Sequence, residues 1–169
     1  GPVRDILVIG AGGFTVGMND TKNNFVYVDI DPDIKEVTEK YFLRKPLTPN
    51  KRFVAESARA FLNGHEGKYD FILLDAYTNV ISLPMETTTK EFLRDVRRVL
   101  KPGGIVVANI ISSPDFHDRF TIRYDNTFAA VFPRFTRQIV GPYRAWDGDG
   151  TQNNNVLYIY FDRPGLDDD

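Results

Sequence analysis

Three acidic residues each follow a short apolar run in this sequence: Asp29 after FVYV, Glu56 after FVA and Asp75 after FILL. Such runs are typical of buried parallel strands, and the carboxyl ends of parallel strands form the ligand-binding edge of a sheet. We therefore expect the three carboxylates to lie at one edge. There they can accept hydrogen bonds from hydroxyl or amino groups, or bind and deprotonate a cationic amine.

A glycine-rich stretch precedes the first of these acids. Gly10, Gly12 and Gly13 follow the apolar run RDILVI, and glycines at such a turn let the backbone approach a ligand closely. Asp29 ends the next predicted strand, where a carboxylate can bind both ribose hydroxyls of a nucleoside. The alternative is that Asp29 caps the turn before Pro32.

The loop favours a nucleoside without a pyrophosphate. Thr15 stands where the dinucleotide fingerprint has its third glycine, and the nearest basic residue is Lys22. Glu56 can accept a hydrogen bond from an adenine amino group, unless it caps the helix predicted to begin at Ser57. Asp75 can take a proton from an amine that attacks the carbon next to a sulfonium, unless backbone amides of a turn satisfy it.

The elements that position these residues alternate between strand and helix. The glycine-rich stretch 10–17 is predicted to open a helix, and a second helix begins at Pro32 with Ile34, Val37 and Tyr41 on one apolar face. This alternation predicts a doubly wound parallel α/β sheet whose last two strands form an antiparallel edge. The predicted strands are 4–10, 25–29, 52–55, 69–75, 105–111, 134–140 and 155–161, and the later helices are 57–63, 88–100 and 115–131.

The domain boundaries follow from the ends of the chain. Residues 4–163 are predicted to form one nucleoside-binding domain, and the acidic tail 164–169 is expected to be frayed. Gly1 and Pro2 stand directly before the first strand, and this pair is a common scar of tag removal. We therefore expect residues 1–3 to be a scar or linker and the chain to be a domain excised from a longer protein.

Composition excludes several classes of function. A net charge of −2 argues against a nucleic-acid partner. The absence of cysteine excludes disulfides, thiolate catalysis and cysteine-based zinc sites, and two isolated histidines make no His-rich metal centre. The Asp147-Gly-Asp149 loop lacks the later glutamate of a calcium loop, so no metal is predicted. With no membrane-length apolar run and no signal peptide in the chain, we expect a cytoplasmic protein.

Five segments of the chain carry a resemblance to a known family. They are ILVIGAGGFT, VYVDIDP, FVAESARAFL, YDFILLDAYTN and TTTKEFLRDVRRVLKPGGIVVANII. Together they resemble the spermidine synthase family, whose members are aminopropyltransferases within the S-adenosylmethionine-dependent methyltransferase fold class. The resemblance spans about residues 4–111, and LKPGG is among its more specific parts. It implies the strand order 3-2-1-4-5-7-6 with the last strand antiparallel, and a homodimer.

The resemblance also implies roles for individual residues. Asp29 would bind ribose, Glu56 with Ser57 and Ala58 would frame the adenine, and Asp75 would be the catalytic aspartate. Ile30 and Ala76 complete the predicted cofactor-binding set with Gly10, Gly12, Gly13 and Asp75, and Tyr77 and Thr78 are predicted substrate contacts. Thr87, Thr88 and Thr89 are candidates for substrate contact or for helix capping, and Tyr143 and Trp146 are candidate pocket aromatics.

Departures from the family's pattern leave three functions open. Gly13 or Phe14 stands where polyamine-making members carry an acid in the glycine loop, Thr78 replaces their second acid, and their β-rich first segment is missing from this chain. AGGFT and DAYTN look more like spermidine-synthase-like domains fused to other, sometimes membrane-spanning, segments. The first function is aminopropyl transfer from decarboxylated S-adenosylmethionine to an amine or polyamine. The second is methyl transfer from S-adenosylmethionine to a small molecule, and the third is nucleoside binding without catalysis in a larger protein.

Overall fold

A seven-stranded sheet organises the protein, and the computed structural model describes residues 1–75, 85–112, 115–140 and 154–163. The strand order is β3-β2-β1-β4-β5-β7-β6, with β7 antiparallel to β5 and β6 and the other pairs parallel. This confirms the predicted order and the antiparallel edge. The strands are β1 (Asp5–Ile9), β2 (Asn24–Asp29), β3 (Lys51–Ala55), β4 (Tyr69–Leu74), β5 (Leu100–Ser112), β6 (Thr136–Val140) and β7 (Asn154–Phe161).

Helices connect the strands, and side-chain caps mark where three of them begin. Ser57 Oγ accepts a hydrogen bond from Ala60 N (3.2 Å), Thr89 Oγ1 accepts one from Phe92 N (3.2 Å), and Asp118 caps the last helix. Thr89 therefore has the capping role. The helices are α1 (Ile34–Val37), which continues as a π-helix (Thr38–Leu43), α2 (Ala58–Asn63), α3 (Lys90–Arg98), which follows a 3₁₀ turn (Met85–Thr88), and α4 (Arg119–Ala129).

Two apolar clusters cover the two faces of the sheet. On one face Leu7, Ile9 and Val28 pack with the buried side chains of α2, α3 and α4. On the other face Val8 and Tyr27 pack with the loop after β1. Because successive side chains of a strand point to opposite faces, continuous apolar runs such as ILVI supply both clusters.

The helix predicted after the glycine-rich stretch is absent, and turns connect β1 to β2 instead. Positive φ angles at Gly12 (49°), Phe14 (53°) and Gly17 (71°) interrupt any helical path through this segment. A Cβ on Gly17 would lie 2.2 Å from the Phe25 ring, so this turn requires glycine. The Phe14 side chain is fully buried and its ring packs edge-on against Tyr27 at 4.9 Å between centroids. Phe14 thus covers this face of the sheet in place of helical side chains.

The apolar face predicted for the second helix is wrong at two of its three positions. Val37 is 52% exposed and Tyr41 is 66% exposed, whereas Ile34 and Leu43 pack against the cluster on this face. For Tyr41 the reason is that the helix widens to a π-helix at Thr38, and i→i+5 bonding shifts which of the later residues face the sheet. Val37 lies in the α-helical part, which is four residues long and buries none of them fully.

The LKPGG segment belongs to β5, which begins five residues earlier than predicted. The helix before it ends at Arg98, Leu100 already pairs with Tyr69, and the register then shifts before Phe71 pairs with Ile105. Gly103 accommodates this irregularity with a φ of 76°.

An ion-pair cluster fixes the start of β5. It lies at the amino ends of the strands, whereas the three acids lie at the carboxyl ends. Lys101 Nζ lies 2.7 Å from Asp5 Oδ2 and 2.9 Å from Asp70 Oδ2. Partial burial would raise the pKa of Asp70, but hydrogen bonds from Asp5 N, Lys101 and Arg4 outweigh it and lower the pKa to about 2.

No helix in the described ranges combines the length and the apolar character that a membrane-spanning helix needs.

Candidate functional site

Backbone hydrogen bonds extend the parallel ladders one step beyond the ends of the strands. Gly10 N donates to Val28 O, Glu56 N donates to Asp29 O and Asp75 N donates to Ile9 O, each at 2.8 Å. These bonds hold the carboxyl ends of β1, β2, β3 and β4 in line. The three predicted acids therefore stand at one edge of the sheet.

Asp29 ties the glycine loop to the end of β2. Its half-buried carboxylate accepts a hydrogen bond from Ala11 N through Oδ2 (2.9 Å) and one from Asp31 N through Oδ1 (3.1 Å). Asp29 thus does contact the turn before Pro32, as the capping alternative supposed. A carboxylate has about four acceptor sites, so each oxygen retains acceptor capacity for a ligand hydroxyl.

The glycine loop has open space beside Gly12, where an added Cβ would meet no atom within 4 Å. Gly10 and Gly12 have φ angles of 92° and 49°, which favour glycine. A Cβ on Gly13 would lie 3.2 Å from Cε1 of Phe42, an exposed ring on the π-helix. The loop backbone is therefore exposed or half-buried from Gly12 to Gly13 while Phe14 is turned into the core, so Phe14 does not block the edge of the sheet.

The residues expected to contact adenine lie at the ends of β2 and β3. Ile30 is 73% exposed directly after Asp29. Glu56 is exposed, and Ser57 is the N-cap of α2, so the alternative that Glu56 caps this helix is wrong. Ala58, the first residue of α2, is half-buried beside them. An exposed carboxylate next to an exposed apolar side chain suits the amino edge and the face of a purine.

Asp75 follows β4 and is held by a neighbouring strand. Its Oδ1 accepts a hydrogen bond from Asn109 Nδ2 of β5 at 2.8 Å. Burial raises the pKa of the Asp75 carboxyl above its ordinary value, and the hydrogen bond from Asn109 offsets part of that rise. Within the described residues, the partner of this carboxylate is the side-chain amide of Asn109. The turn whose backbone amides were the alternative partners follows Asp75 and lies outside the described residues.

Asn109 is the functional candidate that sequence reasoning missed. The signal was its polar type, because it interrupts the otherwise apolar strand IVVANII. A polar residue inside a half-buried strand needs a hydrogen-bond partner, and in this fold that partner is Asp75.

Several predicted residues lie outside the described part of the chain. Ala76, Tyr77 and Thr78 follow Asp75 there, and so do Tyr143, Trp146 and the Asp147-Gly-Asp149 loop. Across the ranges that are described, no three His, Asp or Glu side chains are grouped so that they could hold a metal ion.

Two surface depressions lie near the π-helix and not at the three acids. One is lined by Glu36, Lys40, Arg44 and their neighbours, and the other includes Phe14 and Leu43. The candidate site is therefore defined by the chemistry at the ends of the strands.

Curated relatives of this chain are polyamine aminopropyltransferases. That of Vibrio vulnificus is 34% identical over 134 residues, which cover 75% of this chain and 44% of the relative. "Polyamine aminopropyltransferase 1" of Aquifex aeolicus is 31% identical over 137 residues, which cover 77% of this chain and 48% of the relative. The chain thus spans about half the length of the curated relatives it matches.

Solved structures share the fold. A probable spermidine synthase from Corynebacterium glutamicum superposes with a TM-score of 0.77 at 22% identity, covering 95% of this chain and 56% of that one. Human methyltransferase-like protein 13 in complex with SAH gives 0.74 at 21% identity, covering 97% and 74%.

The family model that describes the spermine/spermidine synthase domain matches residues 2–144. This match takes in the glycine loop, the three acids and the LKPGG segment. The chain belongs to the spermine/spermidine synthase family.

Proposed function

We propose that this chain transfers the aminopropyl group of decarboxylated S-adenosylmethionine to an amine, with a polyamine such as putrescine as the acceptor. The observation that carries the proposal is Asp75, a half-buried carboxylate that Asn109 holds at the strand ends beside the glycine loop. A carboxylate at that place matches a reaction in which a cationic amine must be bound and deprotonated.

The step forms one bond and breaks one. Asp75 takes a proton from the bound ammonium group, which frees the lone pair on its nitrogen. That lone pair forms a bond to the aminopropyl carbon next to the sulfonium, and the carbon–sulfur bond breaks with its electron pair on sulfur. The sulfonium thereby becomes the neutral thioether methylthioadenosine. Burial supports this role because it raises the pKa of Asp75 and so makes the ionised carboxylate a stronger base.

The other strand ends would hold the nucleoside. In this proposal Asp29 accepts hydrogen bonds from the ribose hydroxyls with the capacity left on its two oxygens. Glu56 accepts one from the adenine amino group, and Ile30, Ser57 and Ala58 contact the ring. Gly10, Gly12 and Gly13 let the backbone approach the ligand, and Ala76, Tyr77 and Thr78 stay predictions.

Turnover tests the proposal directly. The purified chain is incubated with decarboxylated S-adenosylmethionine and putrescine, and we expect methylthioadenosine and spermidine in equal amounts by chromatography with mass detection. Parallel reactions contain S-adenosylmethionine with the same amine. If S-adenosylhomocysteine were the only nucleoside product, the chain would catalyse methyl transfer and not aminopropyl transfer. Binding of the nucleosides without any product would replace it with a non-catalytic domain.

A change at Asp29 tests the nucleoside half of the site. We expect Asp29→Ala to weaken binding of methylthioadenosine by about 1–3 kcal/mol, or about 5- to 150-fold, because ribose hydroxyls lose their acceptor. Isothermal titration calorimetry measures the affinity, with Asp33→Ala as the control because Asp33 is exposed four residues away. Equal affinity of the Asp29 variant and the unchanged chain would show that Asp29 does not bind the ribose.

Three further expectations stay predictions here. They are a cytoplasmic location, a homodimer, and one nucleoside-binding domain over residues 4–163.

A further inference from the structure

We propose that Asn109 is a positioning residue, whose side-chain amide holds Oδ1 of Asp75 and thereby assigns Oδ2 to the acceptor amine. The inference rests on the proposed function for its kinetic consequence. The contact itself is independent of that function, since Asn109 Nδ2 lies 2.8 Å from Asp75 Oδ1.

Strand register brings the two residues side by side. Leu74 pairs with Ala108 in the parallel ladder between β4 and β5, so the next residue on each strand, Asp75 and Asn109, are neighbours on the same face. On its other side β5 pairs with β7, where Asn109 is opposite Leu157. Ladders on both sides hold the backbone of Asn109, which makes its amide a rigid donor.

The residue type suits a donor that must work at every pH. An amide offers two N–H donors and carries no titratable proton, so it donates to the carboxylate whether or not other groups change charge. Donation to the ionised form favours that form, and this opposes the effect of burial on the pKa of Asp75. Asn109 thus keeps the buried carboxylate available as a base.

Among the described strand ends, the other charged side chains are farther away. β1, the other neighbour of β4, presents Ile9 and Gly10, which are not titratable. Asp29 ends β2, two strands from β4, which places the strand ends about 10 Å apart. Glu56 ends β3, one strand further out. Among the described residues, the amide of Asn109 is therefore the contact through which a substitution should change the titration of Asp75.

The test replaces Asn109 and follows Asp75 in two ways. Carbon-13 NMR of the side-chain carboxyls gives the titration midpoint of Asp75, assigned by comparison with Asp75→Asn. Initial rates between pH 5 and pH 9 give the acid limb of the pH–rate profile. For Asn109→Leu we expect both to move to higher pH by about one pH unit, with unchanged affinity for methylthioadenosine. Asn109→Gln, which keeps an amide donor, should leave both the titration midpoint and the acid limb close to those of the unchanged chain.

A second variant and a control keep the test decisive. Asn109→Asp has nearly the same shape, so it should fold, and its added carboxylate should raise the midpoint further. Asn155→Leu makes the same change as Asn109→Leu at an exposed position of β7, and it should leave the titration midpoint of Asp75 unchanged. An Asp75 midpoint that stays the same in Asn109→Leu and Asn109→Asp overturns the inference. An inactive chain would contradict the proposed function. The NMR titration needs no turnover, so it would still test the contact between Asn109 and Asp75.

Discussion

Asp75→Asn is expected to lower the rate of aminopropyl transfer by about 10²- to 10⁴-fold, the usual contribution of a general base. The substitution removes the charge and the proton acceptor but preserves the shape of the side chain. The new amide can still accept from Asn109 through its oxygen, so the strand ends should remain in place. Affinity for methylthioadenosine should therefore change little, since the ribose and adenine contacts proposed for Asp29 and Glu56 are at the ends of β2 and β3.

Steady-state rates with decarboxylated S-adenosylmethionine and putrescine measure this effect, and calorimetry with methylthioadenosine measures the affinity. Asp33→Asn is a matched control, because it makes the same change at an exposed residue of the same edge region. Undiminished turnover in Asp75→Asn would remove Asp75 as the base. Loss of nucleoside affinity together with the rate would show that Asp75 binds the nucleoside rather than the amine.

Phe14→Ala is expected to lower the free energy of unfolding by about 3–5 kcal/mol, the range for removing a large buried aromatic side chain. The Phe14 ring is fully buried and lies 4.9 Å from Tyr27 and 5.7 Å from Phe53 between ring centroids. No helix stands between β1 and β2, so this ring covers part of that face together with Ile34 and Leu43 of the following helix. The loss would be a large fraction of the roughly 5–15 kcal/mol that stabilises a typical domain.

Urea denaturation followed by circular dichroism measures the change, and Phe42→Ala is the control. Phe42 also lies against the glycine loop, but it is 61% exposed, so its removal should cost about 1 kcal/mol or less. A Phe14 variant as stable as the unchanged protein would contradict the proposed role of this ring. We also expect weaker nucleoside binding in Phe14→Ala, because the ring anchors the loop whose Ala11 N donates to Asp29.

Sequence reasoning located the strands well. Six of the seven predicted strands agree with the structure within two residues at each end. For β1, β2 and β4 the reason is that strands buried on both faces are continuous apolar runs. The exception is β5, whose start at Leu100 lies before Pro102 and two glycines that normally end an element. Its pairing with Tyr69 and the ion pairs of Lys101 extend the strand across that segment.

The connections between the strands were harder to predict, because the local sequence pattern does not show the tertiary contacts that determine their conformation. GAGGFTVG has the glycine spacing that opens a helix in nucleotide-binding folds, yet the segment forms turns. The burial of Phe14 and the close approach of Gly17 to Phe25 favour that path, and both depend on strands that come later in the chain. The exposure of Tyr41 likewise follows from a π-helix that periodicity did not reveal.

By itself, the amino-acid sequence determined the strands and, through their parallel order, placed Asp29, Glu56 and Asp75 at one edge. That much follows from hydrophobic periodicity, which acts over neighbouring residues. Only the tertiary structure decided which partners those acids have: Ala11 donates to Asp29 across 18 positions, and Asn109 donates to Asp75 across 34. Such pairs depend on the register between strands, and register is set by the packing of the whole sheet.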